Sequence, residues 1–504
     1  MSFFDKMKAK ISPRRLDGAA VTALVICLAA ILNIIFYMLG NRYGLYLMSE
    51  KKDYYDISEN SADLFTDELV KGKTVKVIFC DTEDNVSVSD TGYLVLDTVK
   101  KYAEKYDFIE YECINMLTNP RLVEKYKTDM DGNEQVLRKT TVIFECGDYY
   151  FTITDAVSSS GYGGFYNLDE NGAISSYNGD LIVASMAAYV LTGRNLNGDL
   201  PEGEEIYHAD GHLSVYFVTG HGERADTALY NLLICAGYHV GYVNTRSEEI
   251  PEDAAFLIIS NPIYDFEKAS SGSGIVTESE KIKRYVAGGG DVYISVDPYT
   301  DSLPVFEELL GYFGMKISRN IVSDRTNAIT SDGFTFVAET SDSGVSAQLG
   351  ETFRKYSSGR VIMRDSTSID FCDSSFATEP LLLSSPDTLL KRDGETVGEG
   401  SAVVAALSKA ESGGNIVLVG GSGVTAYDAI FSTLYANRDF MFAVSEIFGA
   451  EYAPYGITAA KYDVETLENL TMGTARAITI VLVLVIPALI GAAGIYVYVR
   501  RKNR

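Results

Sequence analysis

Residues 214–243 read SVYFVTGHGERADTALYNLLICAGYHVGYV, and the fold is decided there. Residues 214–218 are a β-branched and aromatic run, a strand. Thr219-Gly220-His221-Gly222-Glu223 is a tight turn, in which two glycines are free to take positive φ on either side of a histidine. The helix that follows carries Leu229, Leu232, Leu233 and Ala236 at i, i+3, i+4 and i+7, one apolar stripe. Gly237 ends it, and 239–243 is a second strand.

The alternation continues downstream. Residues 255–260 are a strand. Thr277-Glu278-Ser279-Glu280 opens a helix as a capping box, and Gly288-Gly289-Gly290 closes it. Strand 292–296 runs into Asp297-Pro298, helix 304–313 follows, and strand 415–419 and helix 438–448 complete the set. Strands alternating with helices predict an α/β domain over 212–452 with a mostly parallel sheet covered on both faces. Residues 318–410 interrupt the pattern and read as an irregular, β-rich insertion.

Upstream, 73–79 alternates like a strand, 94–106 is helical, and 108–114 is a strand. Residues 141–144 and 149–153 form a hairpin about Gly147 and Asp148. This β-α-β-β order predicts a small α/β domain over 71–194, thioredoxin-like in outline but without redox cysteines. Within it, 158–172 reads as a loop and 181–191 as a helix. The polar, Gly-rich stretch 195–211 reads as a linker between the two domains.

Two apolar runs bracket all of this. Residues 19–39 and 477–499 carry no charge, and each is long enough to cross a bilayer. No small-residue cleavage pattern follows the first, which therefore reads as an uncleaved anchor. The tails 1–18 and 500–504 hold Lys6, Lys8, Lys10, Arg14, Arg15, Arg500, Arg501, Lys502 and Arg504. Positive flanks stay inside, so both termini are expected in the cytoplasm and the body outside, joined to the bilayer by 40–70 and 453–476. Asn33 falls in the middle of the first run, where a polar side chain bonds a partner helix or its own backbone.

The formal net charge is -26. Setting aside the nine basic tail residues with Asp5 and Asp17 leaves 34 basic and 67 acidic residues, a charge near -33 for the body. Such a surface excludes nucleic acid as a partner and stands off anionic lipid. The six cysteines, at 27, 80, 113, 146, 235 and 372, include no C-x-x-C pair and read as unpaired thiols.

Candidate chemistry centres on the turn. It lies at the carboxyl end of a parallel strand and the start of a helix, where open α/β sheets hold ligands. Gly220, His221, Gly222 and Glu223 are the candidate ligand-binding residues, with Asp297 expected to face the same crevice. The alternative is a purely structural strand-to-helix turn. His221 and Glu223 are too few to hold a metal, so neither metal nor cofactor is expected. Gly420-Gly421-Ser422-Gly423 lacks the lysine of a phosphate loop, and Ser422 lacks a nucleophile elbow.

These pieces carry a resemblance. Tyr55-Asp56-Ile57-Ser58 after the first apolar run, VYFVTGHGERA at 215–225, GGGDVYISVDP at 288–298, the strand at 415–421, Asn437-Arg438-Asp439-Phe440 and the closing apolar run follow one another in order. In this the chain resembles the auxiliary component of gliding-motility-type ABC transport systems. The resemblance implies an extracytoplasmic, non-catalytic binding or coupling subunit beside a multi-span permease and a separate cytoplasmic ATPase. It also implies a larger domain similar to class I glutamine-amidotransferase-like or flavodoxin-like folds, and no catalytic residue carries over. The rival expectations are an enzyme acting on an envelope polymer through His221 and Glu223, and an envelope scaffold.

Overall fold

The computed structural model describes residues 55–461 apart from 90, 129–133, 154–163, 169–171, 193–213, 224–225, 269–275, 358, 412, 433 and 451–452, and also residues 499 and 502. The apolar run at 19–39 with Asn33, the run at 477–499 but for its last residue, and all of the linker 195–211 lie outside the described residues. Among the described residues no helix is long and apolar enough to cross a membrane.

The first module forms β1 (Val75–Phe79), α1 (Gly92–Lys105), β2 (Ile109–Cys113), β3 (Val142–Cys146) and β4 (Tyr149–Ile153). Its sheet runs β2-β1-β3-β4, with β1 parallel to β2 and antiparallel to β3. Gly147 takes φ 63° in the β3–β4 hairpin, the conformation for which glycine is suited. Helix α1 buries Leu96, Val99 and Tyr102 against this sheet, the face that its spacing predicts. The stretch read as a loop contains β5 (Tyr166–Leu168), which pairs with β6 (Ile174–Tyr177).

Helix α2 (Gly179–Thr192) follows and is buried from Leu181 to Leu191. A helix apolar all round must be covered all round. It packs on α1 and β3 on one side and reaches α3 (Thr227–Cys235) of the second module on the other. The two modules therefore share apolar packing. One continuous apolar cluster runs from Val77 and Val99 through Ile182 to Leu229 and Phe440.

The second module begins with β7 (Ser214–Thr219), passes through α3 to β8 (His239–Asn244), and continues with β9 (Ala254–Ser260), α4 (Glu278–Ala287), β10 (Asp291–Ser295) and α5 (Pro304–Tyr312). Residues 315–399 add β11 (Met315–Ile317), β12 (Ile321–Asp324), β13 (Thr335–Ala338), α6 (Gly344–Tyr356), β14 (Val361–Arg364), β15 (Ile369–Phe371), β16 (Ala377–Leu383), β17 (Thr388–Arg392) and β18 (Glu395–Glu399). Then come β19 (Val403–Lys409), β20 (Asn415–Val419), α7 (Asn437–Ile447) and β21 (Ala460–Lys461).

The main sheet has seven strands in the order β16-β19-β20-β10-β9-β7-β8. The five from β20 to β8 are parallel. The stretch read as an insertion supplies the other two, β16 and β19, which extend the sheet antiparallel beyond β20. Side chains alternate across it. Phe217, Ile258, Tyr293 and Val417 face the cluster that includes α3 and α7, while Leu257, Ile259, Ile294 and Leu418 face Ile282 of α4 and Phe306 of α5. Helices thus cover both faces, as the β-α alternation requires.

The two ends of the body meet. The Tyr55 ring packs edge-on against Tyr177, centroids 5.6 Å apart, and Ala460 pairs with the same Tyr177 in the β6–β21 ladder. Asn60 Nδ2 donates to the Gly456 carbonyl at 3.3 Å across 396 residues of sequence. Two aspartates, Asp180 partly buried and Asp439 fully buried, hold this strap. Asp180 accepts from Ser58 N at 2.9 Å and from the Tyr102 hydroxyl at 2.5 Å, and Asp439 accepts from Gly456 N at 3.0 Å. Burial pushes the Asp180 carboxyl above its ordinary value. Arg438, 1% exposed, lies near both acids, with Nε 3.8 Å from Asp439. Asn437 splints α7 to β14 through Ile362 N and O, at 2.9 and 2.8 Å. The Asn-Arg-Asp start of α7 is therefore structural.

Candidate functional site

All five parallel strands deliver their carboxyl ends to one edge, so the turn after β7, Asn261 after β9, Asp297 after β10 and Ser422 after β20 share it. The turn needs φ 116° at Gly220 and 68° at Gly222. At Gly222 an added Cβ would also stand 2.5 Å from Ile263 Cγ1 and 2.8 Å from Tyr264.

The turn folds inward. His221 is 1% exposed. Its Nδ1 lies 2.9 Å from Glu223 Oε1 and its Nε2 2.8 Å from Glu278 Oε1. Each ring nitrogen faces a carboxylate, so both must donate and the ring is an imidazolium. Burial by itself lowers the His221 pKa, and the hydrogen bonds and charges of Glu223 and Glu278 overcome that to raise it to about 9. Glu223 Oε2 also accepts His221 N–H at 2.8 Å, and Glu278 Oε2 accepts Glu267 N–H at 2.9 Å. Burial works to raise the Glu278 pKa, but the bonds from His221 and Glu267 hold it below the ordinary carboxylate value. The Phe266 ring covers the imidazole, centroids 4.4 Å apart.

The neighbouring loop seals the crevice. Ile263 N and Tyr264 N both donate to the His221 carbonyl, at 2.9 and 2.8 Å. This joins the turn after β7 to the loop after β9. In a β8-β7-β9-β10 order that junction is where the strand order reverses and a ligand crevice would open. A histidine with both ring nitrogens committed to carboxylates has no lone pair for a substrate proton or a metal. Among the described residues no group of three His, Cys, Asp or Glu side chains is arranged to hold a metal ion.

Asp297 is committed too. Its Oδ1 accepts from Ser422 N at 2.7 Å, and its Oδ2 accepts from Ser422 Oγ and Asn261 Nδ2, both at 2.8 Å. These bonds pin three strand ends together and tie Asp297 to Ser422 and Asn261 rather than to the His221 cluster. The glycines before Ser422 serve packing, since a Cβ on Gly420 would fall 2.1 Å from the Thr367 carbonyl. Sequence reasoning missed Glu278, Asn261 and the pairing of Ser422 with Asp297. The Thr277 cap forms, its hydroxyl accepting from Glu280 N at 3.3 Å. Glu278, read only as part of that capping box, instead turns back to His221.

The five predicted site residues thus divide into two clusters on one sheet edge, Gly220 to Glu223 closed around His221 and Asp297 closed around Ser422. No family model matches the chain, and no curated protein matches it in sequence. Solved structures do align with it. The N-terminal domain of mmIFT52 is 12% identical, covering 46% of this chain and 96% of that one at a TM-score of 0.35. A GMP synthase subunit protein from Thermoplasma acidophilum is 9% identical, covering 47% and 94% at 0.26. PurLQS from Thermotoga maritima is 11% identical, covering 48% and 94% at 0.23.

Proposed function

We propose that this chain is a non-catalytic binding or coupling subunit of an ABC-type transport system of the gliding-motility kind, working beside a separate permease and a cytoplasmic ATPase. The runs at 19–39 and 477–499 anchor it, both termini lie in the cytoplasm, and the body stands outside. Asn33 contacts a partner helix. The larger module is of the glutamine-amidotransferase-like or flavodoxin-like kind, which its parallel order β8-β7-β9-β10-β20 supports.

The observation that carries the coupling role is the meeting of the two ends. Tyr55 and Ala460 both sit on Tyr177, and Asn60 bonds Gly456. A body held at one place by both ends transmits a displacement of either end to its core. The closed state of His221 disfavours the enzyme reading, because a general base needs a free lone pair. An envelope scaffold is the second reading, favoured by the sealed crevice between the turn and the loop after β9.

Affinity purification of the tagged full-length chain from membranes in mild detergent, followed by mass spectrometry, tests this. Co-recovery of a multi-span permease and a Walker-motif ATPase is expected. Recovery of envelope proteins with neither of these moves the function to the scaffold.

A further inference from the structure

The edges of the main sheet, β16 and β8, are built differently. β16 carries Glu379 and Pro380 and shifts register between Pro380 and Leu382 and again between Leu382 and Leu383. A charge, a proline and an irregular register are devices that keep an edge strand from pairing with another chain. β8 reads HVGYVN, holds no Lys, Arg, Asp, Glu or Pro, and follows β7 from Ser214 to Thr219 without a shift. It is a regular, uncharged edge on a chain of net charge -26.

Hydrogen bonds at the end of β8 show which of its backbone groups face outward. The Val243 carbonyl turns toward β7 and accepts from Thr219 Oγ1 at 3.3 Å, while Asn244 N–H turns away and donates to Glu248 Oε2 at 2.9 Å. Successive residues of a strand alternate in this respect, so the N–H and C=O of Val240 and Tyr242 also point away from β7. Among the described residues no group bonds them. The side chains leave this rim open. Tyr242 is 64% exposed and stacks on Tyr230, centroids 6.0 Å apart and planes 12° from parallel. Gly241, between the two outward residues, lies under the Tyr216 ring, where an added Cβ would stand 2.7 Å from Tyr216 Cε1.

We infer that β8 pairs antiparallel with β8 of a second copy of this chain, about a two-fold axis at Gly241. Such an interface is isologous, each copy offering the other the same surface. Val240 of one copy then faces Tyr242 of the other, and each such pair exchanges both of its hydrogen bonds. The two Gly241 residues form the close, non-hydrogen-bonded pair, with Cα atoms about 4.5 Å apart, and the two Tyr216 rings meet above them. On the opposite face Val240 of each copy covers the exposed Tyr242 of the other. The edge is thus its own complement in hydrogen bonding and side-chain size, and it offers no charge by which to select a basic or acidic strand. Charge acts from the rim: Tyr216 donates to the Asp253 carboxylate at 3.0 Å, and each copy brings that acid, with the rest of an acidic body, toward the other. Salt therefore tightens the pairing. The pairing stands on the sheet edge and does not depend on the transport reading.

The test is sedimentation velocity of the purified full-length protein in mild detergent over a concentration series, at about 50 and about 500 mM salt. Tyr242→Pro removes an outward N–H without touching the ladder to β7, and Tyr242→Lys places a charge on the edge. Val397→Lys adds the same charge at an exposed position on β18 as a control. A dimer that tightens with salt is expected, weakened at least about ten-fold by each Tyr242 variant and unchanged by V397K. Hydrogen exchange at the Val240 and Tyr242 amides should slow as wild type dimerises. In intact membranes a p-benzoylphenylalanine photo-crosslinker at the exposed position 239 should join two copies of the chain. A monomer at every concentration, a dimer equally stable in both Tyr242 variants, or crosslinking at position 239 to a different protein alone overturns the pairing.

Discussion

Replacing His221 by Gln removes the cation between two buried carboxylates. The side chains of Glu223 and Glu278 are 7% and 3% exposed, so solvent does not screen what remains. Removing one partner from a buried ion pair costs roughly 3–5 kcal/mol. The pKa gives a second measure: a rise from 6.5 to about 9 corresponds to roughly 3 kcal/mol. The sign follows from the direction. His221 is raised, so its contribution is complete below pH 6.5 and is lost as pH climbs through about 9. Glu278 is lowered, so its contribution holds above 4.5 and is lost as pH falls through its folded value. In the variant Glu278 keeps Arg246 Nε at 3.9 Å but loses its hydrogen bond from His221, so burial disfavours its charged form and acid relieves it. The stability gap between wild type and H221Q should therefore be widest near pH 6 to 7, at about 3 kcal/mol, and close above about pH 9. Denaturant unfolding followed by near-ultraviolet circular dichroism measures the gap, and imidazole NMR titration measures the pKa. A gap below about 1 kcal/mol at pH 6 to 7, or a His221 ring titrating near its ordinary value, would refute the clamp.

Three further outcomes are expected. Gly222→Ala should cost roughly 2–4 kcal/mol, combining a left-handed backbone with overpacking on Ile263 and Tyr264; an unchanged thermal midpoint would show that the turn tolerates a side chain there. Asp297→Ala should speed amide hydrogen exchange at Ser422, whose N–H it accepts at 2.7 Å, while leaving the His221 titration where it is. Burial pushes the Cys80 and Cys235 thiols up to about 12, so native protein should leave both unlabelled by iodoacetamide at mildly alkaline pH and denatured protein should expose both, as read by peptide mass spectrometry.

What was legible in the sequence was local. The strand, turn and helix of 214–243, the Thr277 cap and the Gly147 hairpin each depend on residues a few positions apart, and each forms where the pattern places it. What was hidden depends on distance. His221 and Glu223 pointed to a polar turn, but the residue that closes it, Glu278, is 57 positions away and has the local pattern of a helix start. The strands β16 and β19 sit in a stretch without helical alternation, and only their pairing partners reveal that they widen the main sheet. The sequence of α2, GDLIVASMAAYVLT, carries a single charge. That composition was the available sign of a helix covered on all sides, and hence of apolar packing shared by both modules.

The bond from Asn60 to Gly456 also sets the order of events during synthesis. Its partners are 396 residues apart, and at roughly 5–20 residues per second a ribosome needs on the order of 20–80 s to make that interval. Until β21 emerges, β6 has β5 on one side but lacks its other neighbouring strand, and Asp439 lacks Gly456. Contacts of such high sequence separation slow folding. The N-terminal module must therefore wait, incompletely covered, for the last described strand, and a chain truncated before residue 456 would leave the first module permanently unfinished.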